Sequence, residues 1–225
     1  MDLILLDAAA SLAEGQTMEK TPVISILLKG GAFLIPIILM SFAGIYIFVE
    51  RYLTIKKASK IDKDFMPHIR DYVVNGNIAA AKSLCQQNNA PVARMIEKGI
   101  MRIGKPLKNI EVAIENVGKL EIFKLEKGLA LLATIAGAAP MLGFLGTVTG
   151  MIKSFYSMAN AGNNMDIEVL AGGIYEALIT TAVGLTVGII AFVGYNLLVG
   201  MVDKVVHNME ATTVDFIDLL QEPAS

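Results

Sequence analysis

Three stretches of this 225-residue chain carry no charged side chain and no histidine: Gly30–Val49, Gly128–Ile152 and Ala177–Val202, of 20, 25 and 26 residues. A helix rises ~1.5 Å per residue and the hydrocarbon core of a bilayer is ~30 Å thick, so each stretch is long enough to cross it. The longer two cross with tilt or with projecting ends. Composition agrees, because 54% apolar against 18% charged residues is outside the balance of a soluble domain. The expected fold is an all-α integral membrane protein with three transmembrane helices. Three crossings put the termini on opposite sides.

Orientation follows from the basic residues. Fifteen Lys and Arg fall in Glu50–Lys127, against one in Lys153–Glu176 and two before the first span. Excess Lys and Arg marks the cytoplasmic side, which places Glu50–Lys127 inside. The expected segments are an outer N-terminal segment (1–25), a first span (26–50), a cytoplasmic helical domain (51–127), a second span (128–152), an outer loop (153–176), a third span (177–202) and a cytoplasmic C-terminal helix (203–225). Met1–Ala10 lacks the basic start of a cleavable signal, so the first span is expected to act as its own address. Leu3, Ile4, Leu5 and Leu6 read either as an interfacial foot or as part of a tail. The single Cys85 forms no internal disulfide and belongs to no metal-binding pattern; it is expected to be a buried small hydrophobe.

Within the basic segment, Asn75-Gly76-Asn77, Asn88-Asn89-Ala90-Pro91 and Gly104-Lys105-Pro106 are turn signals, so a compact set of short helices is expected. Beyond Pro106, which suits a first helical turn, no proline occurs before Pro140. A single helix is therefore expected to open at Leu107 and run through the second span. In the tail, Val202, Val205, Met209, Thr212, Phe216 and Leu219 recur at spacings of three and four, the seam of a helix packed on a neighbour. The second and third spans are thus expected to extend into a cytoplasmic helical bundle.

Candidate functional residues lie on the second and third spans. Ala139, Gly143 and Thr147 are four apart, with Gly146 and Gly150 on an adjacent line; Ala177 and Thr181, then Thr180, Gly184 and Gly188, repeat the spacing. In lipid, small residues at this spacing let helix backbones approach closely, which accounts for the glycines by packing alone. Thr147 lies six residues before Lys153 and Thr181 five after Glu176, so on antiparallel helices the two hydroxyls fall at one depth, ~7–9 Å inside the outer boundary. Such hydroxyls either hold water and assist proton transfer or bond back to their own helix. Glu176 adjoins the start of the third stretch, where a helix N-terminus favours a negative charge; it is either a boundary residue or part of a pore mouth.

Proton movement through a membrane generally uses an ionisable group within it, and the three apolar stretches contain no Asp, Glu, Lys, Arg or His. A proton path along the threonines therefore needs a carboxylate from another chain. His68 and His207 are far apart in sequence, and no HExxH, GxSxG or P-loop is present. The chain is expected not to be an enzyme, to need no cofactor or metal, and to bind no nucleic acid, since its basic segment also carries nine carboxylates.

Ala139-Pro140-Met141-Leu142-Gly143-Phe144-Leu145-Gly146-Thr147-Val148 resembles the AP-x-x-G-x-x-GTV pattern of the MotA/TolQ/ExbB proton-channel family. Glu176-Ala177-Leu178-Ile179-Thr180-Thr181-Ala182-Val183-Gly184-Leu185 resembles its EAL-x-x-TA-x-GL pattern, and Tyr195-Asn196 the YN that follows. Thr149 and Thr180 are local departures from the members compared. Three spans and an outward N-terminus are similar to the TolQ/ExbB branch; MotA-type members have a fourth span. The resemblance implies a homopentamer in the bacterial inner membrane, with a periplasmic N-terminus and a cytoplasmic C-terminus. Its second and third spans would surround the single helices of an ExbD- or TolR-like partner carrying a membrane Asp. It implies that Thr147, Thr181 and Thr180 line the proton pathway with Glu176 near its outer entrance, that Ala139, Pro140, Gly143, Gly146, Gly150, Ala177, Gly184 and Gly188 pack around the partner helices, and that work passes to a TonB- or TolA-like protein. A TolQ-like role in envelope maintenance and a non-conducting membrane scaffold are the alternatives.

Overall fold

The computed structural model describes residues 31–60, 62, 64–160 and 167–222, and every regular element among them is a helix. In chain order these are α1 (Leu34–Ala58), α2 (Phe65–Val74), α3 (Ile78–Gln87), α4 (Pro91–Ile100), α5 (Leu107–Glu126), α6 (Leu129–Asn160) and α7 (Ile167–Gln221). Among the described residues, three helical runs are long and apolar enough to cross a membrane: Leu34–Ala58, Leu107–Asn160 and Leu170–Gln221. The chain is an all-α multi-pass membrane protein. The expected segment 1–25 with its Leu3–Leu6 foot, the opening of the first span at 26–30, and positions 161–166 and 223–225 lie outside the described residues.

Each turn signal in the basic segment ends a helix for a local reason. Gly76 and Gly104 take φ of +70° and +89°, a region open to glycine without steric cost. The Asn77 side chain accepts from Ala80 N–H at 3.1 Å and so caps α3, and Asn88 Oδ1 accepts from Ala90 N–H at 2.9 Å ahead of Pro91, the first residue of α4.

Two expectations are revised. The helix opened at Leu107 does not run unbroken into the second span: Lys127 is extended and Gly128 takes φ +84°, so α5 ends at Glu126 and α6 restarts at Leu129. A glycine at the boundary supplies a conformation that other residues adopt only with strain. The loop expected at 153–176 is helical at both ends, since α6 continues to Asn160 and α7 begins at Ile167. One Lys does not stop a helix that is already propagating, and the breakers Gly162, Asn163 and Asn164 come only later in the sequence.

The helices divide between two compact units, one of Ile38–Pro140 with Leu185–Ser225, the other of Met141–Gly184 with the chain through Ile37. In the first, Ile69, Ala81, Cys85, Ile96 and Ile114 of the short helices form one core with Val205, Met209 and Phe216 of α7. The predicted tail seam holds, with Val202, Val205, Met209, Phe216 and Leu219 buried and Thr212 half-buried. Gly99 is the close approach that admits Phe216: a Cβ there would lie 2.6 Å from its Cε1 and 2.8 Å from Ile114 Cδ1. Cys85 is buried as expected, and burial, followed by the charge of Glu97, pushes its thiol up to about 12.

Glu121 is a charged residue in this otherwise apolar core, 3% exposed. It accepts from Arg94 Nη2 at 2.5 Å and from Lys124 Nζ at 2.7 Å, tying α4 to α5. Burial raises a carboxyl pKa, but the two hydrogen bonds and the charges behind them outweigh it and hold Glu121 below its ordinary value.

Two glycines of α7 make close approaches in the same unit. Pro140 lies inside α6 and has no N–H for the carbonyl of Ala136, four residues earlier. Gly188 covers that gap: a Cβ on it would collide with Pro140 Cγ and lie 3.0 Å from the Ala136 oxygen. Gly194 likewise takes the ring of Phe48, whose Cδ2 lies 3.0 Å from its Cβ position. The face of α1 carrying Ile35, Leu39, Phe42 and Tyr46 is open, as a lipid-facing helix surface would be.

Candidate functional site

The threonines lie in the second unit, where α6 and α7 pack antiparallel through small residues. Gly143 meets the backbone of α7 directly, its Cβ position lying 3.0 Å from Thr180 O, 3.1 Å from Thr181 Cα and 3.2 Å from Gly184 Cα. Gly146 lies under Thr180, with Cγ2 at 2.6 Å from its Cβ position, and Gly150 under Ala177, with Cβ at 2.9 Å. Close backbone approach of this kind is what small residues permit in lipid, where apolar burial gives little drive for helices to associate.

Gly143, Gly146, Gly150, Ala177 and Gly184 pack against each other within the chain, so their smallness is already used by the α6–α7 seam. Ala139 is fully buried as well, and Pro140 meets Gly188 inside the chain. Their spacing is that of any close helix pair and does not identify the neighbouring helix.

The hydroxyls separate into two groups. Thr181 is half-buried, and its Oγ1 donates across the seam to Gly143 O at 2.9 Å. Thr147, also half-buried, donates to Phe144 O at 2.6 Å. Because residue 143 faces 181 and residue 146 faces 180, Thr147 and Thr181 lie within about one turn of each other along the helices. Thr180 differs. It is 2% exposed, covers Gly146, and its Oγ1 donates to Glu176 O at 2.9 Å. Its Cβ and Cγ2 fill the space that Gly146 leaves in the seam. Thr149 also bonds back, to Leu145 O at 2.9 Å.

The donor pattern decides what this surface can do. A hydroxyl has one hydrogen and two lone pairs, and Thr147 and Thr181 have each given the hydrogen to a carbonyl. What they offer a facing group is an acceptor oxygen. Glu176 is half-buried, and its carboxylate lies against Gly31 at the start of α1; that contact was not visible in the sequence, where the two are 145 positions apart. Among the described residues, no group of three or more His, Cys, Asp or Glu side chains is placed to hold a metal ion.

A model of the MotA/TolQ/ExbB proton channel family matches residues 87–211. A relative from Methanothermobacter thermautotrophicus, described as an ExbB homologue in biopolymer transport, is 33% identical over 177 residues, covering 76% of this chain and 62% of that protein. An ExbB-like biopolymer transport protein from Synechocystis is 28% identical over 176 residues, covering 77% and 69%. The Tol-Pal system protein TolQ of Haemophilus influenzae is 32% identical over 142 residues, covering 63% and 58%. The matched region thus spans less than two thirds of the Methanothermobacter and Haemophilus relatives.

Proposed function

The chain belongs to the MotA/TolQ/ExbB proton channel family, and from that premise we propose that it is an ExbB-like stator subunit of a proton-driven motor in the bacterial inner membrane. In this reading the N-terminus is periplasmic, residues 51–127 and the end of α7 are cytoplasmic, and copies of the chain form a homo-oligomer, a pentamer by family likeness. The oligomer holds an ExbD- or TolR-like partner whose single span carries an Asp. Proton flow down the proton motive force turns one against the other, and a TonB-like protein carries the work to outer-membrane transport. The chain itself performs no enzymatic step and binds no cofactor.

One observation carries the reading: Thr147 and Thr181 bring two acceptor oxygens within about one turn of each other, in apolar stretches that contain no Asp, Glu, Lys, Arg or His. A hydroxyl does not titrate near neutral pH, so the proton carrier must come from a facing chain. An acceptor oxygen receives a hydrogen bond from a protonated carboxyl or a water and offers nothing to a carboxylate. Glu176, five residues before Thr181 on α7, is in this reading the group that passes protons at the mouth.

Thr147→Val and Thr181→Val keep the side-chain shape and remove the hydroxyl. Each is expected to lower proton-motive-force-dependent uptake while the complex still assembles. Full uptake in both variants, with assembly intact, would remove the polar path. Uptake that survives neutralising the partner's Asp would turn the assignment toward a scaffold.

A further inference from the structure

The first span reads as an anchor, yet its start is built into the α6–α7 seam. Gly31 takes φ +67° ahead of the first turn of α1, where Leu34 N–H donates to Gly31 O at 3.2 Å. A Cβ on Gly31 would fall on the Glu176 carboxylate, colliding with Oε1 and lying 2.9 Å from Cδ. Two residues on, Phe33 Cβ lies 3.6 Å from the Cβ position of Gly146. The opening turn of α1 therefore touches both other helices, each time through a glycine.

We infer that Gly31 is a positioning residue for Glu176, its missing side chain being the space in which the carboxylate is held against the start of α1. The inference rests on the proposed role of Glu176 at the outer mouth. A glutamate has three side-chain torsions and, unconfined, samples many directions. Here one direction is walled by α1, whose first N–H groups have no partner within the helix and favour a negative charge nearby. On the other side, Thr180 Oγ1 bonds the Glu176 carbonyl and steadies its turn of α7. Only glycine meets both demands at position 31, a positive φ and no Cβ.

The test uses the full chain in membranes with its partners and reads two quantities. One is proton-motive-force-driven uptake; the other is labelling of the Glu176 carboxyl by a water-soluble carbodiimide, followed by mass spectrometry. Gly31→Ala is expected to raise labelling severalfold, because the carboxylate is pushed off α1, and to lower uptake. Gly31→Asn, whose side chain tolerates positive φ better but still carries a Cβ, is expected to do the same, which separates displacement of the carboxylate from backbone strain. Glu176→Asp shortens the side chain by one methylene and is expected to restore uptake in the Gly31→Ala background to the level of Glu176→Asp alone. Gly76→Ala is the control, since Gly76 has φ +70° with nothing within 4 Å; neither quantity should change. Unchanged labelling in Gly31→Ala and Gly31→Asn overturns the inference, as does a loss of uptake that Glu176→Asp leaves in place. Full uptake in Glu176→Gln removes the proposed role of Glu176 in transport, and labelling in the Gly31 variants still decides whether Gly31 holds its carboxylate.

Discussion

Gly143→Ala is the sharpest probe of the α6–α7 seam, because the three atoms nearest its new methyl are all backbone. Thr180 O, Thr181 Cα and Gly184 Cα lie 3.0, 3.1 and 3.2 Å from the Cβ position, and none of them can turn aside as a flexible side chain would. The helices must separate. Overpacking of a tight contact costs about 1–3 kcal/mol, and separation also weakens the Thr181 Oγ1 bond to Gly143 O at 2.9 Å, an interhelical polar contact of about 0.6 kcal/mol. The sum is a loss of about 2–4 kcal/mol. Gly137→Ala on the same helix has nothing within 4 Å of its Cβ position and should cost nothing, or gain up to about 1 kcal/mol from helix propensity. Reversible unfolding in mixed detergent, followed by helicity, measures both. Thr181→Val should cost about 0.6 kcal/mol alone and less in the Gly143→Ala background, since the bond is already weakened there. A Gly143→Ala variant as stable as Gly137→Ala would refute the register of the seam.

Three further outcomes concern the helices outside the apolar stretches. Glu121→Gln should destabilise the protein by about 2 kcal/mol at neutral pH; because the folded-state carboxyl lies below its ordinary value, that advantage of the native residue holds above about pH 4.3 and should vanish as acid protonates Glu121, which unfolding of both proteins across pH will show. Phe216→Ala empties a side chain that is 0% exposed and should cost about 3–5 kcal/mol by chemical denaturation. Cys85, buried and with its thiol pushed up to about 12, should react with maleimide only after unfolding; rapid labelling of the native protein would contradict its placement.

The spans, the turn-delimited short helices and the buried tail seam were legible because each depends on local pattern. Spacing of three and four located Val202, Val205, Met209, Phe216 and Leu219, and all five are buried. The break at Gly128 was not legible, since a glycine between two helical patterns reads equally as a residue within one helix. The site was half legible. Depth along a helix follows from residue number, so the near-level placement of Thr147 and Thr181 could be reckoned in advance. Direction around the helix could not, and it is direction that turns Thr180 into the seam over Gly146. Nor could sequence join Gly31 to Glu176, because a contact between first and third spans leaves no periodic mark on either.

On the proposed function, the donor pattern constrains the acid of a partner that meets the seam. With the hydrogens of Thr147 and Thr181 donated to Phe144 O and Gly143 O, a carboxylate facing them finds lone pairs against its own, and in hydrocarbon such an unpaired charge is costly. A protonated carboxyl donates its hydrogen and is satisfied. In the proposed complex, then, the seam is expected to favour the neutral, proton-bearing state of such an acid, which is the state that crosses a membrane at least cost. An amide imitates that state, because its NH₂ group donates where the protonated acid does. A partner whose membrane Asp is replaced by Asn should then co-assemble with the native chain at least as well as the Asp form, although it carries no proton and supports no uptake. In chains with both Thr147→Val and Thr181→Val, that preference should disappear, since no acceptor remains to be met. Co-purification of the two partner forms, competing for limiting amounts of this chain, measures it. An Asp form that outcompetes the Asn form on the native chain, and loses that lead in the valine variants, would mean that the hydroxyls turn their hydrogens toward a carboxylate and that the acceptor assignment is wrong.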